Sequence, residues 1–151
     1  MNYITEIFSP KEKDYPCLFK IWENSVRETH HFLKESDIQS LKKVIPKYLR
    51  KIKLFGYKND SGKIQGFLGI SKNKIEMLFI DAGARGQGVG KKLIAFAINN
   101  LDANKVDVNE QNSQAVGFYK HVSFKITGRA DLDDLGNPFP ILHMKLKINF
   151  N

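Results

Sequence analysis

The sequence predicts an α/β fold of the mixed α+β kind, with one central mixed β-sheet flanked by helices, in a single domain spanning 1–151. Three observations predict it. Four segments carry apolar residues at helical spacing, and seven others carry short apolar or alternating runs. The two kinds are interleaved in the order β-α-α-β-β-β-α-β-α-β-β. A chain of 151 residues is long enough to bury one sizeable core and shows no repeat, linker or low-complexity tract.

The elements follow in order. A first strand runs from Tyr3 to Phe8. Ser9-Pro10-Lys11-Glu12 then reads as a capping box with proline at the first helical position. Leu18, Ile21, Trp22, Ser25, Val26 and Thr29 form one face of the helix that follows. Ser36-Asp37-Ile38-Gln39 opens a second helix with Ile38, Leu41, Ile45, Tyr48, Leu49 and Ile52 on its apolar face, and Pro46 predicts a kink or break. Leu54–Lys58, the turn Asn59-Asp60-Ser61-Gly62 and Lys63–Ile70 read as a hairpin. Lys74–Ile80 is a further strand, with Ile75, Met77 and Phe79 on one face and Glu76, Leu78 and Ile80 on the other. A glycine-rich loop leads to a helix marked by Val89, Leu93, Phe96 and Ala97. Val106–Val108 is a short strand and Asn112–Val122 a short helix. Phe124–Gly128 and Ile141–Ile148 close the sheet, joined by the polar connection 131–140.

Composition narrows the function classes. No stretch approaches the roughly 18 apolar residues of a membrane span. The start, Met1 to Glu6, lacks the basic residues and long apolar run of a secretory signal, so a cytoplasmic location is expected. Cys17 is the single cysteine, which excludes an internal disulfide or a thiolate metal cluster, and four scattered histidines suggest no metal site. The net charge is +8, concentrated in the first 75 residues, which hold 15 basic and 8 acidic residues. Such a balance suits a phosphorylated cofactor, nucleic acid or a membrane surface, although lysines at helical spacing also read as a solvated helix face.

The informative segment is Asp81-Ala82-Gly83-Ala84-Arg85-Gly86-Gln87-Gly88-Val89-Gly90-Lys91, which joins a strand to a helix. Its glycines let an anion approach the backbone N–H groups, and the helix start supplies unpaired N–H groups and a positive dipole end. Arg85, Lys91 and Lys92 add charge there. The dinucleotide fingerprint fails because Lys91 stands at its third glycine. The Walker A loop fails because Arg85 and Lys92 stand at its ends.

Arg85-Gly86-Gln87-Gly88-Val89-Gly90 resembles the [QR]-x-x-G-x-[GA] motif of the GNAT superfamily of N-acetyltransferases. Leu78-Phe79-Ile80-Asp81 is similar to the family's L-x-V-D segment, with Ala82 where proline is usual. Downstream, Asn112, Ala115, Phe118, Tyr119, Ser123 and Phe124 resemble N-x-x-A-x-x-[FL]-Y-x-x-x-G-F, with Ser123 in place of the glycine. The likeness covers nearly the whole chain. Trp22, Thr29-His30 and Asp133-Asp134-Leu135-Gly136 resemble a small bacterial, YjaB-like branch of that superfamily.

The resemblance implies a splayed sheet and acetyl-CoA as co-substrate, with transfer to the amine of a small molecule or a protein. Its pyrophosphate would rest on the backbone from Arg85 through Gly86, Gln87, Gly88, Val89 and Gly90 to Lys91. Its pantetheine arm would pair with the backbone at Leu78, Phe79 and Ile80, where the Leu78 N–H can hold the developing oxyanion. Asn112 would contact the arm, or serve as a helix cap and nothing more. Tyr119 would protonate the departing thiolate; the competing reading is a core tyrosine beside Phe118. For the general base two candidates stand, Glu76 on the strand and His30 at a helix end, each also readable as an ordinary surface residue. Asp133 and Asp134 read as a polar turn or as the lining of a cationic acceptor's cleft. A non-catalytic acetyl-CoA sensor is the alternative. No helix-turn-helix, zinc module or aromatic-interleaved basic strand points to nucleic acid, and no membrane partner is expected. Monomer and homodimer are both open.

Overall fold

Seven strands form one sheet, and the computed structural model describes residues 6–147 of the chain. The strands are β1 (Ile7–Phe8), β2 (Lys53–Lys58), β3 (Ile64–Ser71), β4 (Lys74–Ile80), β5 (Lys105–Asn109), β6 (Phe124–Ala130) and β7 (Ile141–Leu146). Their spatial order is β1-β2-β3-β4-β5-β7-β6, and every neighbouring pair is antiparallel except β4–β5. The helices are α1 (Tyr15–Thr29), α2 (Glu35–Leu49), α3 (Val89–Leu101) and α4 (Ser113–His121). The first strand is seen at Ile7–Phe8; Tyr3–Thr5 and Ile148 lie outside the described residues.

Each face of the sheet carries its own core. α1 and α2 bring Leu18, Ile21, Trp22, Val26, Ile38, Ile45 and Leu49 against Leu54, Ile64, Phe67 and Met77. α3 and α4 bring Val89, Leu93, Ile94, Ala97 and Tyr119 against Leu68, Ile70, Ile75, Val106, Phe124 and Met144. Alternation along β2 and β3 sends side chains to both, which is why these strands are buried almost end to end.

Three local expectations are corrected. The helix does not begin at Ser9-Pro10: a single 3-10 turn, Glu12–Asp14, comes first, with the Lys11 N–H donating to Asp14 Oδ2 at 2.9 Å, and Pro16 takes the early helical position. Pro46 does not break α2, which runs on to Leu49 because Leu49 and Ile45 are anchored in the core. Ile52 lies beyond the end of that helix.

Ser123, which stands where the resembled motif has glycine, has φ +79, the left-handed region that disfavours a Cβ. Ser123→Gly is therefore expected to stabilise the protein by about 0.5–1 kcal/mol, read as a higher denaturation midpoint.

Candidate active site

The site begins where β4 and β5 part. They pair only at Lys74–Lys105 and Ile75–Val106. β3 stays paired with β4 up to Ile80, so the rest of β4 has a strand on one side alone. The Asp81 N–H donates to Gln65 of the β3 side at 2.9 Å. Backbone groups alternate in direction along a strand, so the N–H groups of Leu78 and Ile80 point the other way, into the gap. That gap is a cleft of about 530 Å³ running from α1 to α4.

The β4 faces differ from the simple alternation expected. Gly69 aligns with Met77 but Ile70 with Ile75, so Glu76 is an extra residue, a β-bulge. The bulge shifts the alternation. Ile75, Leu78 and Ile80 pack on the α3/α4 side, and Met77 and Phe79 on the α1/α2 side. Glu76 therefore does not share a face with Leu78 and Ile80. It accepts a 2.8 Å hydrogen bond from the Tyr48 hydroxyl of α2, and it does not line the cleft. Phe79 borders the cleft while its ring packs 5.8 Å from Phe67.

The glycine loop closes one end. Gly86 has φ +78 and Gly88 φ +81, with Gly88 as the N-cap of α3 and no side chain capping the helix. The first intrahelical bond of that turn is Lys92 N–H to Gly88 O at 3.1 Å, so the N–H groups of Val89, Gly90 and Lys91 lack helical partners. Arg85, Gly86, Gly88, Val89, Gly90 and Lys91 all border the cleft. Val89 also anchors the loop in the core, whereas the Gln87 side chain reaches back toward Gly83 O at 3.5 Å and stays outside the lining.

α4 supplies the opposite wall. Tyr119 is 6% exposed, held edge-on between Phe118 and Phe124, and lines the cleft. Burial raises its phenol above the ordinary range, so it stays protonated at any working pH. Asn112 caps α4, its Oδ1 accepting from the Ala115 N–H at 3.2 Å, and borders the cleft as well. Asn112→Ala is expected to cost about 1 kcal/mol of stability from the lost cap. A parallel titration with acetyl-CoA measures any contact to the arm.

α1 supplies the third wall through Ser25, Thr29 and His30. The Thr29 hydroxyl donates to Ser25 O at 2.8 Å, so the 2.7 Å contact between Thr29 Oγ1 and His30 Nδ1 requires Nδ1–H as the donor. Nε2 then carries the lone pair. Burial, followed by the charges of Arg85 and His31, pushes the imidazole down to about 4, so His30 is neutral at pH 7. Ser25 is 5% exposed, and its Oγ accepts from Arg85 Nη2 at 3.2 Å, tying the glycine loop to α1. Sequence reasoning took Ser25 only as part of the helix's buried face. A hydroxyl among Ile21, Trp22 and Val26 was the available signal, since a buried hydroxyl needs a partner.

The segment after α1 and the 131–140 connection meet beside His30, where Phe32 lies 5.3 Å from the His30 ring and 5.6 Å from Phe139. Asp133 proves to be a turn former: its Oδ1 accepts from the N–H groups of Leu135 and Asn137. Among the described residues no group of three or more His, Cys, Asp or Glu could hold a metal ion, and no helix is long and apolar enough to cross a membrane.

Known proteins share this fold. The family model of the acetyltransferase (GNAT) domain matches residues 18–148. Peptidyl-lysine N-acetyltransferase YjaB of Salmonella typhimurium is 40% identical over 127 residues, 84% of this chain and 88% of that protein. The solution structure of apo-form YjaB from Escherichia coli superposes with a TM-score of 0.86 at 38% identity, covering 92% of this chain and 95% of that one. The PaiA N-acetyltransferase of Thermoplasma acidophilum, solved in complex with coenzyme A, shares the fold at a TM-score of 0.72 and 22% identity, over 95% and 98% of the two chains. With a splayed seam, a glycine-capped helix and a tyrosine meeting at one cleft, this chain belongs to the GNAT family and is an acetyl-CoA-dependent acetyltransferase.

Proposed function

We propose that the enzyme acetylates the side-chain amine of lysine in polypeptides, by direct attack of the amine on the thioester. The single observation that carries this reading is the convergence of Tyr119, His30 and the free edge of β4 on one cleft that ends at the glycine loop. The choice of acceptor is supported by the 40% identity to a peptidyl-lysine N-acetyltransferase.

In the proposed reaction, the pyrophosphate of acetyl-CoA sits on the N–H groups between Gly86 and Lys91, and its arm extends along Leu78 and Ile80. The amine lone pair attacks the acetyl carbon, and the carbonyl oxygen takes negative charge beside the Leu78 N–H. The C–S bond then breaks with its electrons on sulfur. Tyr119 donates its hydrogen bond, and finally its proton, to the leaving thiolate. A phenol near 10, raised further by burial, is a weaker acid than a thiol near 8.5. The proton therefore crosses only as charge develops on sulfur, and returns to the phenolate from solvent or from the product nitrogen.

His30 accepts a hydrogen bond from the attacking nitrogen through its unprotonated Nε2 and hands the proton on to solvent, because an imidazole near 4 does not hold it. Glu76, held by Tyr48 on the far face of β4, acts on the approaching ammonium through its charge rather than by contact. Because His30 is depressed to about 4, the rate profile should show no inflection from it between about pH 5.5 and 8. A limb near 6.5 that disappears in His30→Gln would overturn that charge state.

The reading is tested by incubating the protein with acetyl-CoA and an uncharged-flank lysine peptide. Stoichiometric thiol release and ε-acetyl product by mass spectrometry are expected. Binding of acetyl-CoA without transfer to the peptide would reject the lysine acceptor.

A further inference from the structure

Four lysines stand in one row across the sheet. Lys74 of β4 aligns with Lys105 of β5, Lys105 with Lys145 of β7, and Lys145 with Lys125 of β6. Residues aligned across neighbouring strands project from the same face. Ile75, Val106, Met144 and Phe124, their chain neighbours, all point into the α3/α4 core, so the lysines point to the face that carries α1 and α2. Lys105, Lys125 and Lys145 are exposed there.

Lys74 is neutralised by Asp107, with Nζ and Oδ2 2.6 Å apart, and the other oxygen of Asp107 lies 2.8 Å from His143 Nδ1. Lys105, Lys125 and Lys145 form no ion pair among the described residues. Neighbouring strands lie about 4.8 Å apart, and like charges placed directly opposite one another are destabilising. Three such charges in line form a surface suited to an anionic partner.

The position of the row identifies the partner. It marks the closed end of the seam, where β4 and β5 still pair. Leu78, at the open end, lies four residues further along β4, about 13 Å at ~3.3 Å per residue. Between the two, on the same face, stands the carboxylate of Glu76, which forms no ion pair among the described residues, while Asp107 beside it is already paired with Lys74. The face therefore changes sign with distance from the cleft, one unpaired carboxylate first and lysines beyond. A uniformly negative nucleic-acid backbone would meet that carboxylate. A peptide carrying one lysine and more distant acidic residues matches both signs.

We propose that the row Lys105–Lys145–Lys125 receives acidic side chains of the polypeptide being acetylated, so that the enzyme selects lysines with Asp or Glu about four to six residues away. This rests on the lysine acceptor argued above. The span follows from the reach of an extended chain, about 3.3–3.6 Å per residue.

The test compares two synthetic peptides with one central lysine. One carries Asp and Glu four to six residues from it on both sides, the other Ser and Gln. Exposed ion pairs are individually weak, so two or three together should favour the acidic peptide on the order of tenfold in kcat/KM, through KM. That ratio should fall toward one in 500 mM salt, and also in the triple variant Lys105→Gln, Lys125→Gln, Lys145→Gln. Retained acetyl-CoA affinity shows that the variant is folded, and the salt series on wild type is independent of that variant. Equal rates for the two peptides in wild type, or a preference that survives the triple variant, would overturn the docking row while leaving lysine acetylation standing. No acetylation of either peptide would overturn both. A single-stranded oligonucleotide that binds through the row while the peptides stay equal would assign the surface to nucleic acid instead.

Discussion

Tyr119→Phe will bind acetyl-CoA as the wild type does and turn it over on the order of 10²- to 10⁴-fold more slowly. The ring is held by packing alone: it sits edge-on to Phe118 and Phe124, and its hydroxyl makes no hydrogen bond among the described residues. Phenylalanine keeps that packing, so the substitution removes the proposed proton donor and little else. The loss should fall on kcat, because the thiolate exists only once the C–S bond breaks, while the ground-state complex hardly uses the hydroxyl. Steady-state kinetics with calorimetric titration of acetyl-CoA checks this. A variant within threefold of wild-type kcat would leave the leaving group to be protonated by water and return Tyr119 to the role of a core aromatic.

Gly88→Glu will lose acetyl-CoA affinity by on the order of 10²-fold or more. Two effects add. At φ +81 any Cβ is strained, although nothing lies within 4 Å of where it would sit, so the protein tolerates the side chain at a cost of about 1–2 kcal/mol. The new carboxylate then stands at the start of α3, beside the N–H groups of Val89, Gly90 and Lys91 that are proposed to receive the diphosphate, and like charges at 4 Å repel by about 1–4 kcal/mol depending on solvent access. Gly88→Ala separates the two terms, since it carries the strain without the charge. Unchanged titration of the Glu variant would mean that the diphosphate binds elsewhere.

Much of this was legible in the sequence because it depends on local pattern. The period of Ile75 to Ile80 located β4, the glycines located the turn before α3, and Asn112 to Phe124 located α4 with its tyrosine. What escaped depends on contacts between distant residues. The bulge at Glu76 is set by the register with Gly69 and Ile70, and a strand read alone alternates straight through it. The neutral state of His30 arises from its burial and from Arg85, which approaches from another element. The bond between Arg85 and Ser25 spans 60 residues, and no spacing rule reaches that far.

The seam between β4 and β5 has a thermodynamic corollary. Two aligned residue pairs are all that joins the two halves of the sheet directly at that point. On the proposed placement, a co-substrate arm along Leu78 and Ile80 would complete the missing strand, and part of the donor's binding energy would become folding energy. At a donor concentration 100 times its dissociation constant the gain is about 2.7 kcal/mol, comparable to a well-packed core side chain. The enzyme would then be sturdier when acetyl donor is plentiful and more readily unfolded or degraded when it is scarce, which couples its abundance to the supply of its own substrate.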